Sequence, residues 1–293
     1  MYPPPFEYHR PEQLAEATAL LADLGPDAAV LAGGMSLIPR LKARTARPAH
    51  VVDIGRLAEL AGARRQDGVL AIGALTRHAD LAGSADVAGP VPMLAEAARQ
   101  IGDQQVRNWG TIGGSVGEVY PGADLPATLI ALSARLRCHG AEGERTLTAE
   151  EQFAGGDTVA TGPGELVTAI EVDVPPPRSG GAHVRLERRL GLAVVACSAM
   201  VTLDEQGRYA TARAAVSAVR AAPVPALSGA ELADQTPGPD LHREAAAGAL
   251  ADVDGLSDLR GSAAYRRRTA GVMIARALDL AAGRAAQNEG DRT

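Results

Sequence analysis

Aromatic side chains are scarce: one tryptophan, five tyrosines and two phenylalanines make up 3% of the 293 residues. With so few large rings, an apolar fraction of 46% has to be carried mainly by alanine and valine on regular elements. Lysine is rarer still, Lys42 being the only one, so positive charge is almost wholly arginine. Genome base composition produces the same bias, so it carries little functional weight. The two cysteines, Cys138 and Cys197, form no CxxC pair. That argues against iron–sulfur clusters and structural zinc in this chain, and the two read as neutral buried thiols. The six histidines never fall within one helical turn of each other, so no metal site is expected. No stretch has the apolar length of a membrane span. Met1-Tyr2-Pro3-Pro4-Pro5 lacks the features of a secretory signal, and a cytoplasmic protein is expected. The net charge of -6 disfavours non-specific attraction to nucleic acid or to anionic membranes.

Glycine, in contrast, is plentiful, and two clusters of it stand out. Ala32-Gly33-Gly34-Met35-Ser36 and Gly110-Thr111-Ile112-Gly113-Gly114-Ser115 each place a hydroxyl one or two residues after a Gly-Gly pair. A phosphate needs several N–H donors converging on it, and glycine lets successive amides point inward without a Cβ clash. Gly33, Gly34, Gly113 and Gly114 are therefore candidate amide donors, Ser36, Thr111 and Ser115 candidate hydroxyl donors, and Asp124 a candidate acceptor for a ribose hydroxyl. The same pattern also describes two plain tight turns.

The surrounding periodicity places these loops. A helix is expected to open at Pro11-Glu12-Gln13 and run to Leu24, followed by a strand over 28–31, the first glycine loop, a helix over 37–43 and a strand over 50–54, a compact β-α-β-type unit. Strands are expected over 69–74, 135–138 and 166–174 and helices over 93–101 and 125–132, with Thr76 as the N-cap of a helix beyond it. Pro175-Pro176-Pro177-Arg178-Ser179-Gly180-Gly181 reads as a linker. Three strands follow over 183–189, 193–203 and 210–219, the last two joined by an Asp204-Glu205-Gln206-Gly207 hairpin, then helices over 241–250 and 263–282. The expected units are 1–56 and 57–176, a linker and approach over 177–185, a last domain over 186–284, and a frayed tail over 285–293.

Other nucleotide folds leave marks that are missing. No GxGxxG follows a strand and no GxxxxGK[ST] occurs, which argues against a Rossmann or P-loop protein. Gly113-Gly114-Ser115-Val116-Gly117 does match the GxSxG nucleophile elbow, with His139, His183 or His242 as base. That elbow needs a buried strand before it, whereas Arg107-Asn108-Trp109-Gly110 precedes it here.

Longer motifs extend the pattern. Ala32 to Pro39, and Gly102-Asp103-Gln104-Gln105-Val106-Arg107-Asn108-Trp109-Gly110 leading into Thr111 to Ser115, closely resemble the two FAD-binding loops of the medium subunit of molybdenum hydroxylases, the xanthine dehydrogenase and carbon monoxide dehydrogenase group. Asp124-Leu125-Pro126 stands at that family's spacing, Arg188-Arg189 where a basic pair is expected, and Arg260-Gly261-Ser262-Ala263-Ala264-Tyr265-Arg266 is similar to its C-terminal signature. The resemblance implies an α+β fold: a two-part FAD-binding unit of the vanillyl-alcohol oxidase (PCMH) type, then a C-terminal domain of a three-stranded sheet with helices.

It also implies non-covalent FAD. The implied contacts are Ala32, Gly33, Gly34, Met35, Ser36, Leu37 and Ile38 from the first loop, Thr111, Gly113, Gly114, Ser115, Gly117 and Asp124 from the second, with Val167 and Arg185. The implied partners are an iron–sulfur subunit and a molybdopterin subunit, with a possible homodimer through the complex. The chain departs from the family at Gly117-Glu118-Val119-Tyr120, at Arg185 in place of a common lysine, and at Leu190-Gly191-Leu192. Tyr120, Glu118 and Arg185 are therefore the candidates for a direct role at the flavin, Tyr120 beside the ring and Arg185 steadying negative charge. A stand-alone FAD oxidoreductase on the same fold is the alternative.

Overall fold

The structure is a computed structural model that describes residues 2–187, 191–251 and 255–288. The opening prolines hold the chain extended into β1 (Glu7–His9), after which Leu14–Leu24 forms α1. Gly25 ends α1 with φ +59°, a conformation that glycine adopts without strain. Next come β2 (Ala28–Leu31), α2 (Leu37–Ala43) and β3 (His50–Asp53). Both β1 and β2 pair parallel with β3, giving the order β1-β3-β2, so the expected β-α-β unit gains an edge strand from the N-terminus. Its small core of Ala17, Leu21, Val52 and Ile54 is completed by Leu75 and Leu166 from the next unit.

The second unit begins with β4 (Ala63–Gln66) and β5 (Val69–Gly73). Five helices follow, α3 (His78–Gly83), α4 (Ala85–Ala88), α5 (Pro92–Arg99), α6 (Gln104–Trp109) and α7 (Ile112–Val116), before α8 (Asp124–Ala131). Then come β6 (Arg135–Gly140), β7 (Gly143–Thr148), α9 (Ala149–Phe153) and β8 (Leu166–Asp173). The sheet is antiparallel in the order β4-β5-β8-β6-β7. Its edge strands β4 and β7 carry mostly exposed side chains, which is why no apolar alternation betrays them in the sequence. Thr76 is not a helix cap. Its hydroxyl donates to the Gly62 carbonyl and accepts from the Gly62 amide, both at 2.9 Å, tying the start of the helical layer to the β4 side of the sheet.

Every residue of α8 is buried. A helix that is apolar on all sides needs neighbours on all sides, and α8 lies between α5 and the sheet of the last domain.

That last domain starts earlier than its prolines suggest. Ser179–Glu187 is β9, so Ser179, Gly180 and Gly181 belong to a strand and the linker shrinks to 174–178. A Cβ on Gly180 would lie 2.2 Å from the Ala281 carbonyl oxygen, so glycine is there to let a helix cross the strand closely. Then follow β10 (Ala193–Leu203), β11 (Tyr209–Ser217) and β12 (Val224–Gly229), in the sheet order β12-β11-β10-β9. The sheet thus has four strands where three are expected. The fourth is an edge strand that carries Pro225, a residue that hides strand character and is tolerated only at an edge. The Asp204 to Gly207 hairpin forms as expected.

Two helices, α10 (Pro239–Ala249) and α11 (Ala263–Gln287), pack on one face of this sheet around Val195, Val201, Ile274 and Leu278. Because α11 runs to Gln287 and buries Ala285, residues 285–287 are helical and not frayed. Arg188, Arg189 and Leu190 lie outside the described residues, as does the expected tail over 289–293.

Candidate functional site

A cleft of about 800 Å³ opens between the first two units, lined by both glycine loops. The first loop leaves β2 and enters α2. Gly34 sits at φ +73°, where a side chain is strained, and a Cβ on Gly33 would fall 1.8 Å from the Trp109 carbonyl oxygen. One glycine therefore makes the turn and the other lets the two loops touch. Among the described residues, none of the amides of Gly33, Gly34, Met35, Ser36 and Leu37 donates a hydrogen bond. These are unpaired donors at the edge of a cleft, an arrangement that suits an anion.

The second loop is built differently. It is the helix α7, whose N-cap Thr111 accepts from the Gly114 amide at 3.1 Å. Ile112 donates to the Thr76 carbonyl, Gly113 to that of Ala74 at 2.8 Å, and Ser115 to that of Thr111. The amides of Gly113 and Gly114 thus have acceptors within the protein, the Ala74 carbonyl and the Thr111 hydroxyl, whereas those of the first loop have none among the described residues. A Cβ on Gly113 would meet Ala74 at 2.6 Å, so that glycine serves packing. Gly114 and Gly117 face outward and are exposed, so their missing side chains leave room in the cleft.

Ala32, Met35, Ser36, Leu37, Thr111, Ser115, Asp124 and Val167 line the cleft together with the glycines, as do Glu118 and Tyr120. Ile38 and Arg185 do not. Ile38 packs back against Gly34, and the Arg185 side chain is 4% exposed behind Asp124. Arg185 lies 3.3 Å from Asp124 Oδ2, donates to the carbonyls of Gln100 and Gly191, and pairs with Glu187 at 3.1 Å. So placed, it holds Asp124 and two loop carbonyls from behind the cleft. Asp124 is itself committed: His183 Nε2 lies 3.2 Å from its other oxygen. Both Asp124 oxygens thus have partners on β9 while the residue still lines the cleft. Arg40 of α2 pairs with Glu118 at 2.9 Å and so links the two loops across the cleft. The other Glu118 oxygen is buried and has no partner among the described residues.

Sequence patterns missed His78, at the start of α3. It is buried, lines the cleft, and lies 3.5 Å from Ser115 Oγ through Nε2, while its Nδ1 has no partner among the described residues. Burial pushes its pKa down to about 4 against a weaker opposing pull from Asp124, so the imidazole is neutral near pH 7. A lone histidine 37 residues from the loop carries no sequence signal.

These contacts also dispose of the serine elbow. Among the described residues Ser115 follows no strand, the imidazole beside it has no carboxylate partner, and His139, His183 and His242 contact Glu144, Asp124 and Asp279 instead. A Ser–His–Asp chain does exist in Ser198, His183 and Asp124, with 2.8 Å from Ser198 Oγ to His183 Nδ1. Ser198 is fully buried beneath Thr128, so no substrate reaches it.

Unpaired amides on one wall, side-chain-free helix surface on the other and a largely apolar lining define a site for a dinucleotide held by its diphosphate. The extra sheet-and-helix domain behind it sets this unit apart from a Rossmann fold. Residues 4–176 match the family model described as the FAD binding domain in molybdopterin dehydrogenase. Residues 183–281 match that of the CO dehydrogenase flavoprotein C-terminal domain.

The chain is 39% identical to the carbon monoxide dehydrogenase medium chain of Afipia carboxidovorans, covering 97% of this chain and 99% of that one. It is 38% identical to the 6-hydroxypseudooxynicotine dehydrogenase complex subunit alpha of Paenarthrobacter nicotinovorans, covering 97% of each. Among solved structures, the reconstituted CO dehydrogenase from Oligotropha carboxidovorans superposes with a TM-score of 0.93 at 39% identity, covering 97% of this chain and 100% of that one. Quinoline 2-oxidoreductase from Pseudomonas putida 86 gives 0.89 at 30% identity, covering 97% and 99%. The chain belongs to the family of FAD-binding subunits of molybdopterin dehydrogenases, and its cofactor is FAD.

Proposed function

We propose that this chain is the electron-transfer subunit of a molybdopterin-dependent hydroxylase or dehydrogenase complex, taking electrons from an iron–sulfur subunit and passing them to an acceptor. The observation that carries this is the end-to-end match to medium chains and complex subunits, with both domains in the same order. FAD supplies chemistry that no side chain here has, since it accepts electrons singly and gives them up in pairs.

The protein's part is to bind and orient. The amides from Gly33 to Leu37 and the Ser36 hydroxyl hold the diphosphate, each charge-assisted bond contributing roughly 1.5 to 3 kcal/mol. Ser115 adds a hydroxyl, Gly114 and Gly117 leave space, and Ala32, Leu37 and Val167 supply apolar wall. The Arg40–Glu118 pair fixes the separation of the loops, and Asp124, clamped by His183 and Arg185, anchors the floor. Residues 1–56 and 57–176 are taken as the two parts of the FAD unit and 186–284 as the body of the last domain. Among the described residues no helix is long and apolar enough to cross a membrane, and we place the complex in the cytoplasm, with the flavin held without a covalent bond.

The test is reduction of the bound flavin. Alone, the FAD-loaded chain should stay oxidised with the organic substrate of the complex and become reduced only when the iron–sulfur and molybdopterin subunits are added. Direct reduction of the isolated chain by a small organic substrate would overturn this reading in favour of a stand-alone flavoenzyme.

A further inference from the structure

Far from the cleft, the parallel pairing of β1 with β3 brings together three side chains that the flavin chemistry does not use. Glu7 and His9 are two residues apart and share one face of β1, and the register sets Glu7 opposite His50 on β3. His9 Nε2 and His50 Nδ1 are 3.1 Å apart, and His50 Nδ1 is 3.5 Å from a Glu7 carboxylate oxygen. One ligand atom from each of the three lies within 4.8 Å of the other two. Four ligands bound tetrahedrally to zinc at about 2.0–2.1 Å stand about 3.3–3.4 Å from one another. The two separations made by His50 bracket that edge length, and the third, between His9 and Glu7, lies within 4.8 Å.

We propose that Glu7, His9 and His50 form a binding site for one divalent transition-metal ion of the zinc type, with its fourth position open to water. Two imidazoles and a carboxylate are borderline donors that suit Zn2+, Co2+, Ni2+ or Cu2+ over Mg2+ or Ca2+. A hydrogen bond between the two rings would by itself explain 3.1 Å. The strand register adds the Glu7 carboxylate as a third donor beside the same His50 nitrogen. The ion also has work to do in the fold. β1 is only three residues long and lies at the edge of its sheet, so a metal bridging it to β3 would pin the N-terminus. The sequence separation of 41 between His9 and His50 hides the site from any spacing motif.

The experiment is calorimetric titration of Zn2+ into the untagged, FAD-loaded chain at neutral pH, repeated with Co2+ and read by absorbance to the red of the flavin. One equivalent of Zn2+ should bind, and Co2+ should develop the d–d bands of a tetrahedral site. Binding should weaken about tenfold or more in His9→Ala and in His50→Ala, since even ligand-orienting partners are worth that much. The control His139→Gln should leave it unchanged. Glu7→Gln alters a largely exposed side chain without threatening the fold and should weaken Zn2+ binding in the same direction. An intact flavin spectrum in each variant reports folding. Absence of saturable binding in the wild type, or one-equivalent binding that survives both His9→Ala and Glu7→Gln, would overturn the proposal.

Discussion

Gly114 separates a cofactor effect from a folding effect more cleanly than any other glycine of the site. It lies inside α7 with a helical backbone, so Gly114→Val costs the turn little beyond weak helix propensity. Its Cβ would sit 3.0 Å from Thr111 Oγ1, and its branches would reach into the cleft. FAD affinity should drop about tenfold or more, some 1.4 kcal/mol, while the protein stays folded. The flavin-to-protein absorbance ratio after gel filtration checks this, and stoichiometric FAD in the variant would refute the placement. Gly34→Val, at φ +73°, should instead disrupt the loop itself. His78 makes a pH-dependent contribution. Burial first, outweighing the pull of Asp124, lowers its folded-state pKa to about 4. Between pH 6.5 and about 4 the unfolded chain binds the proton more readily, so stability falls as pH falls through that window. The full span is on the order of 3 kcal/mol. Urea midpoints measured across the window should show a decline that is shallower in His78→Gln.

Elements with one buried face could be read from periodicity, as in α1 with Ala17 and Leu21 and β5 with Leu70 and Ile72, whereas the short helices α3, α4, α6, α7 and α9 are too brief to display one. The exposed edge strands β4 and β7 have no such face to display, and Pro225 masks the one that Leu227 gives β12. The glycine loops were legible as a pair, but not the difference between them: Ala74 and Thr111, which accept from the Gly113 and Gly114 amides, are joined to them by folding and not by any motif. Asp124 was visible, whereas its partners His183 and Arg185 sit 59 and more residues away in another domain. The stretch from Arg260 to Arg266 shows what a family signature can mean physically. Ser262 caps α11, and the fully buried Arg266 donates to the carbonyls of Val194 at 2.6 Å and Ala218 at 2.9 Å and pairs with Asp258 at 2.5 Å. Arg266→Met keeps much of the packing volume but leaves two buried carbonyls without a donor. It should lower unfolding free energy by about 3 kcal/mol, measured by urea denaturation, with Arg266→Lys losing less.

Where the last domain meets the FAD unit, apolar and polar contacts act together. The α8 helix is shared between the two, Thr128 meets Ser198 at 2.9 Å, and Ser217 donates to the Ala123 carbonyl at 2.7 Å. At the rim, Arg284 of α11 reaches α5 and forms a two-bond contact with Glu96, both bonds at 2.8 Å, while also donating to the Gly181 carbonyl. One guanidinium thus joins α11, β9 and the FAD unit. Burial pushes the Glu96 carboxyl up, but the Arg284 hydrogen bonds and charge outweigh it and hold the group below the ordinary carboxylate range. A carboxylate with a depressed folded-state pKa adds stability above its unfolded value and loses it as pH falls through the folded value. Because both side chains are partly exposed, screening limits the pair to about 1 kcal/mol. The consequence for the molecule is one of coupling. Wild type should melt in one calorimetric transition at neutral pH, whereas Arg284→Met should broaden it or split off the last domain and expose the linker at 174–178 to proteases. In acid, below the ordinary carboxylate range, wild type and variant should converge. A sharp single transition and full protease resistance in Arg284→Met at neutral pH would show that the remaining contacts, α8 foremost, couple the two units without this pair.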